Sequence, residues 1–328
     1  MLSYSIHRLF QAGFVLVAMS FIVFVGVYAI GNPIDLLVNP QADEAERLRA
    51  TISMGLDKPF YAQYLSFLGA ASTGDFGRSF VFNVPALSLI LQKLPATIEL
   101  ALFAMIIAVA LGIPLGLVAG LKPDSFFGRA IMALSIVGFS LPTFWVGLVL
   151  IMFFSVYLGW LPSNGRGETV DIFGVPVSFL TWDGLTHMFM PAFNLALFKL
   201  SLLIRLTRSG TREALLQDYV KFARAKGLSN TRVIGVHVLK NIMIPIVTVI
   251  GLEFGSVIAF AIVTETIFAW PGTGKLLIDS INQLDRPVIV AYLLVIVTLF
   301  IFINFVVDVV YSLLDPRVRL GSQAGGGH

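Results

Sequence analysis

Three features of this chain have chemistry beyond that of a scaffold: ionisable side chains inside long apolar runs, a glycine-rich stretch resembling a phosphate loop, and a basic segment between two apolar runs. The first group is Lys199, Glu253 and Glu265. Charged groups at membrane depth are costly enough to be functional candidates by default. Lys199 stands six residues before Arg205, roughly 9 Å at the helical rise, and Glu253 nine residues past Ile244, roughly 14 Å. These similar depths predict an ion pair facing the interior of a helix bundle. Two other readings stay open: Lys199 snorkels to the inner headgroups, or Glu253 stays protonated in an apolar site. Glu265 lies near the far end of its run, where it lines a pathway or orders a gate, or else caps loop backbone ahead of Pro271. Phe260 is bulky where small residues would let helices approach closely, so it narrows a pathway or alters packing.

The phosphate-loop lookalike runs from Ala269 through Pro271, Gly272, Gly274 and Lys275 to Leu276. A loop of that kind needs glycine first, so the backbone can close on phosphate, and serine or threonine last, to hold magnesium. Ala269 and Leu276 fail both requirements, and a Pro-Gly turn is the better reading. The four histidines, His7, His187, His237 and His328, have no mutual metal-ligand spacing, and His237 is expected to pack or cap within its own loop. The absence of cysteine excludes disulfides, thiolate metal sites and a thiol nucleophile. No catalytic, cofactor-binding or metal-binding residue is therefore expected in this chain, and it is not expected to be an enzyme.

The elements that must position these groups are set by composition. Hydrophobic residues make up 57% and charged residues 12%, far from soluble usage, so this is an integral membrane protein. Six apolar runs, 9–30, 96–121, 130–158, 188–206, 244–268 and 288–313, are each long enough to cross a hydrocarbon core of roughly 30 Å. Continuous runs, not short alternating ones, make the fold all-α and not a barrel. The first run exceeds a signal-peptide core and is kept as a retained helix. A net charge of +3 is too small to argue for nucleic acid.

If the runs alternate across the bilayer, Arg8, Lys122, Arg129, the series from Arg205 to Lys240, and Arg317 with Arg319 share one side, which the positive-inside rule makes cytoplasmic. Both termini are then cytoplasmic. On the other side, residues 32–94 contain an amphipathic helix over 43–52, then Gly55, Asp57 and Pro59, and a turn at Gly74 to Gly77. Residues 159–186 read as an irregular loop with Trp160 and Trp182, and the glycine-rich end from Gly321 as a disordered tail. No internal repeat is found.

In the basic segment, a short helix over 218–226 is expected to end on Gly227 as a left-handed cap, with a second helix starting behind Ser229 or Asn230. The elbow presents Tyr219, Phe222 and Ala223 on one side, with Lys221, Arg224 and Lys226 around them. A small apolar patch with a basic rim suits docking of another protein. A plain positive-inside loop is the other reading.

Tyr219, Val220, Ala223, Arg224, Ala225, Lys226, Gly227 and Leu228, followed by His237, Leu239, Asn241 and Pro245, resemble the EAA loop of ATP-binding-cassette importer permeases in its dipeptide, oligopeptide and nickel variant. Lys221 and Phe222 depart from the general Glu-Ala-Ala-x-x-x-Gly pattern as that branch does. Further landmarks, in order, are Gln63-Tyr64, Asp75-Phe76-Gly77-Arg78-Ser79, Leu94-Pro95-Ala96-Thr97, Ser140-Leu141-Pro142, Trp160-Leu161-Pro162, Glu265-Thr266 with Phe268, and Asp315-Pro316-Arg317. Nearly the whole chain is covered by the resemblance to the first permease subunit of that branch.

The resemblance implies a type I (MetI-like) permease fold in a bacterial inner membrane, with an N-terminal helix and extracytoplasmic region over 1–93, a permease core over 94–316 whose coupling loop spans about 208–245, and a tail over 317–328. It implies four kinds of partner: a second permease, two cytoplasmic ATPases that bind ATP and magnesium, an extracytoplasmic solute-binding protein, and the lipid bilayer. Tyr219, Lys221, Phe222, Ala223, Arg224, Ala225, Lys226, Gly227 and Leu228 would form the coupling helix. Lys199 and Glu253 look unlike the neutral residues usual in that family. A self-contained secondary carrier remains the alternative; it calls for inverted repeats and midplane carboxylates, and has no use for such an elbow.

Overall fold

The computed structural model describes residues 2–29, 43–53 and 56–314. Gly55, the Asp315-Pro316-Arg317 landmark and the tail over 317–328 lie outside these. The chain divides into two compact units, Met1–Pro95 with Gly272–Ile301 and Ala96–Pro271 with Phe302–His328.

In the first unit, α1 (Leu2–Ala29) packs against α3 (Phe60–Ser72). Aromatic spacing drives the contact: Phe21 and Phe24 meet Phe60 and Tyr64 edge-on or tilted, Phe24 stacks on Phe67 at 5.5 Å, and Ser20 and Tyr64 share a 2.9 Å hydrogen bond. Between them in the chain comes α2 (Glu44–Ser53), whose first turn is capped by Asp43 accepting from the Glu46 N–H at 2.7 Å. The Gly74–Gly77 turn forms as read from sequence, both glycines having φ near +80°, a conformation available without penalty only to glycine. A buried carboxylate holds the next turn. Asp285 accepts from the Ser79 hydroxyl and from the N–H groups of Phe80 (3.1 Å) and Val81 (3.4 Å).

The spans are α4 (Ala86–Leu121), α7 (Trp182–Leu216), the run Asn230–Phe260, and Arg286–Val309 within α13 (Arg286–Leu314). The third apolar run departs from the sequence reading. It is two helices, α5 (Phe126–Ser140) and α6 (Thr143–Leu150) with its π-helical continuation Ile151–Tyr157, bent by 106°. Proline is the cause: Leu141, before Pro142, is pushed to an extended conformation (φ −79°, ψ 134°), and Pro142 starts the next helix. An apolar cavity of about 450 Å³, walled by Leu134, Trp145, Leu197 and Leu200, opens in the crook. Of the six expected spans, the described residues hold four helices long and apolar enough to cross, a fifth if the bent pair counts as one, and a shorter apolar stretch, Gly13–Gly26, in α1.

The fifth run is corrected likewise. Its helix begins upstream, as α9 (Asn230–Arg232), a π-helical turn Val233–Leu239 and α10 (Lys240–Phe260), and breaks at Ala261 before the short α11 (Ile262–Ile267). The loop over 159–186 is less irregular than expected. Val170–Ile172 (β1) and Val175–Val177 (β2) pair antiparallel around a Phe173-Gly174 turn, and α7 already starts at Trp182, capped by Thr181 accepting from the Gly184 N–H at 2.9 Å. After α11 come α12 (Thr273–Asn282) and α13.

Candidate functional site: an exposed elbow and three polar clusters

The elbow follows from local rules. Gln217, extended at ψ 149°, ends α7 and starts α8 (Asp218–Ala225). At its other end the Leu228 N–H donates to the Ala223 carbonyl at 3.3 Å and the Gly227 N–H to the Arg224 carbonyl at 2.9 Å, with Gly227 at φ +76°. This is a Schellman cap, which satisfies the last carbonyls and needs the left-handed glycine. α8 packs on the end of α7 and on Val233–Leu239, with Val220 and Ala223 buried on one side and Val233 and Val238 on the other.

Ala223 therefore faces inward, a correction to the sequence reading: one turn after Val220, it belongs to the packing face and not to the apolar patch. The outward face carries Tyr219 and Phe222, the latter 61% exposed, with Lys221, Arg224, Ala225, Lys226 and Gly227 all exposed and Leu228 half-buried. Lys226 Nζ lies 4.5 Å over the Phe222 ring. Lys221 donates to Asp218 at 2.8 Å; that bond, and then the lysine's charge, hold the Asp218 carboxyl below its usual value. The sign is that of a depressed acid, so the pair's support of the first turn is present at neutral pH and fades as pH falls through the lowered value. His237 is half-buried in the π-helical turn, where its carbonyl accepts from Asn241 Nδ2 at 2.6 Å. The whole is a capped, basic, partly apolar knob.

The first polar cluster, half-buried, joins two spans. Lys199, the central residue of α7, donates from Nζ to Glu253 Oε2 and, at 2.7 Å, to Ser256 Oγ, both on α10. The lysine thus turns toward the carboxylate and not toward a helix end. Phe260, two turns beyond Glu253, is 75% exposed.

In the second cluster, fully buried Glu265 on α11 accepts from Thr97 Oγ1 at 2.7 Å, and its backbone carbonyl from the Trp270 N–H at 2.8 Å. Trp270 Nε1 donates to the Ala96 carbonyl at 2.8 Å. Glu265 is enclosed and lines no open surface here; it ties the 262–270 segment to the start of the unit's first helix.

The third cluster escaped the sequence reading. Glu99 Oε1 accepts from the N–H groups of Ser178 (2.6 Å) and Phe179 (3.0 Å), and Oε2 from Arg166 Nη2 (2.5 Å) and Nε (3.1 Å). Arg166 also donates to the Pro176 carbonyl at 2.6 Å, so the ion pair anchors the β-hairpin. The rule applied to Lys199 would have found Glu99, which is likewise an ionisable residue inside an apolar run. Glu99→Ala is expected to leave a buried arginine unpaired at a cost of about 3–5 kcal/mol, read as a fall in thermal stability and faster proteolysis between residues 159 and 186. Glu99→Gln, which keeps an acceptor, should lose less. Among the described residues no group of three or more His, Cys, Asp or Glu is placed to hold a metal ion.

Spanning helices, one bent pair and an exposed capped elbow between two of the spans define a polytopic helical membrane protein. Residues 112–320 match the family described as "binding-protein-dependent transport system inner membrane component", residues 1–101 match that family's N-terminal region, and the chain belongs to this family of multi-pass inner-membrane proteins. It is 41% identical over 302 residues to the di/tripeptide transport system permease protein DppB of Pseudomonas aeruginosa (strain UCBPP-PA14), covering 88% of this chain and 90% of that protein. It is 38% identical over 321 residues to the oligopeptide transport system permease protein AppB of Bacillus subtilis (strain 168), covering 97% and 100%. A chain of the inward-facing MetNI methionine ABC transporter shares its fold, with TM-score 0.54 and 14% identity over 69% of this chain and 96% of that one.

Proposed function

We propose that this chain is one of two permease subunits of an ATP-driven importer for di- or oligopeptides. In that assembly both of its termini lie in the cytoplasm, two cytoplasmic ATPases bind ATP and magnesium, and an extracytoplasmic binding protein delivers the solute. The peptide class is supported by relatives at 38–41% identity over 88–97% of the chain that are named as peptide permeases. The observation that carries the mechanical reading is the Schellman-capped helix Asp218–Ala225, with Phe222, Arg224 and Lys226 exposed and Val220 and Ala223 packed against the adjoining helices. A short helix fixed at both ends transmits a rigid displacement: whatever moves Phe222 also moves α7 and Asn230–Phe260, the hinge or shear behaviour of packed helices. Lys199, Glu253 and Phe260 are the pathway candidates, with Glu265 ordering the segment beside them.

Copurification tests the assembly. A tagged chain expressed with its partners is expected to bring down a second permease and an ATPase, and the purified complex in vesicles to accumulate peptide only with ATP. Accumulation by this chain alone, without a nucleotide-hydrolysing partner, would overturn the reading.

A further inference from the structure

We propose that Lys199, Glu253 and Ser256 form a subsite within the pathway for the backbone of a peptide. Lys199 Nζ takes a carboxylate or carbonyl oxygen, and Glu253 Oε1 takes an ammonium or amide N–H. The proposal rests on the peptide reading above and adds where in this chain the solute is held.

The argument begins from unused hydrogen-bonding capacity. An ammonium has three donors, and the described residues take two of those on Lys199, by Glu253 Oε2 and Ser256 Oγ. The Ser256 hydroxyl donates to the Glu253 backbone carbonyl at 2.8 Å and also stands 3.0 Å from Oε2, which fixes that oxygen from both sides. Among the described residues Glu253 Oε1 has no hydrogen-bond partner, and it is not one of the sealed polar atoms. The side chains are 29% exposed for glutamate and 12% for lysine. One acceptor without a partner thus stands beside an ammonium with one donor uncommitted, in the middle of the membrane-spanning helices. Turned toward acyl chains, this edge would carry the desolvation cost of polar groups without return, so it belongs on a face that meets water or solute.

The open pair complements what every peptide has whatever its side chains: an oxygen acceptor next to an N–H donor. Because lysine and glutamate neutralise each other, the subsite orients a dipolar solute without holding net charge, and a pathway site must bind weakly enough to let go. Aromatic rings flank it. Lys199 Nζ lies 5.2 Å over Phe198, Phe198 stacks on Phe139 at 4.5 Å, and Phe260 shares the face of α10 that carries Ser256, four residues earlier. These rings offer apolar contact to side chains of varied shape, while the polar pair reads only backbone.

The chain has no cysteine, so Ser256→Cys introduces its single thiol, nearly isosteric with the hydroxyl. In proteoliposomes holding the complete importer and binding protein, a membrane-impermeant maleimide is expected to label that thiol during ATP turnover, and trialanine to slow the labelling several-fold. Labelling at the same rate with and without trialanine, or none at any stage of turnover, overturns the subsite. A second variant separates binding from a mere helix tie. Lys199→Met/Glu253→Gln leaves no unpaired charge, so a structural pair predicts uptake at the wild-type rate, whereas the subsite predicts trialanine uptake reduced at least about tenfold in complexes recovered at wild-type yield. Wild-type uptake of labelled trialanine is measured alongside. If it is intact and the thiol is unprotected, the subsite alone falls; if the wild type imports no peptide, subsite and peptide reading fall together.

Discussion

Gly116→Leu is expected to prevent α4 and α7 from packing and to destabilise the protein by more than about 3 kcal/mol, beyond the usual cost of over-packing. Gly112, Gly116 and Gly120, spaced by four, lie along one face of α4, against Leu203, Thr207 and Thr211 of α7. A Cβ at Gly116 would stand 2.5 Å from Thr207 Cβ and 2.8 Å from the Ile204 carbonyl oxygen; at Gly112 and Gly120 the nearest Cβ would be 2.8 and 2.7 Å away. Thr207 and Thr211 are fully buried, so neither can swing clear, and the obstacle at Gly116 includes backbone. Helices with small residues at this spacing approach closely and gain dispersion contacts that a larger side chain would forfeit. Gly69→Leu is the control, because a Cβ there has nothing within 4 Å. The readout is the folded fraction across a denaturant titration of detergent-solubilised protein, and equal midpoints for the two variants would refute the close-packed seam.

The second large effect is on coupling. Arg224→Glu and Gly227→Asp are each expected to lower ATP-driven uptake at least about tenfold while the chain stays folded in the membrane. Arg224 is exposed and makes no side-chain hydrogen bond among the described residues, so reversing its charge should move stability by no more than about 0.5 kcal/mol. Gly227 has open space around it and φ +76°, a conformation that costs a non-glycine residue about 1–2 kcal/mol, and aspartate is among the better tolerated there. Lost uptake in a folded chain would therefore come from the docking surface, and retention of the ATPase on the affinity column shows whether docking or only motion is impaired. Wild-type uptake by both variants would remove the elbow from the coupling path.

Where chemistry is local, these features were legible in the residues. The cap at Gly227, the start behind Ser229 and the amphipathic helix expected over 43–52 each depend on a few neighbouring residues, and they form within a residue or so of the expected places. The similar depths of Lys199 and Glu253, both unlike the neutral residues usual in the family, predict a pair, and it forms because two helices crossing one slab share a coordinate. The turn of Ala223 into the packing face was not legible: an eight-residue helix can bury either side, and the partner that selects one, Val233–Leu239, is π-helical. The break at Leu141 was signalled by Pro142 but hidden inside an apolar run long enough to span.

Sequence by itself determined that this chain is lipid-embedded and helical, where its basic elbow begins and ends, and to which family its motifs point, because hydropathy, capping and turn preferences act over a few residues. Only the tertiary structure decided which helices the glycine seam joins, that Arg166 answers Glu99 and holds the hairpin, and that Glu253 keeps one oxygen open beside Lys199. Those outcomes depend on which side chains meet across segments far apart in the chain, and there the free energy lies in close packing and in the pairing of buried charge.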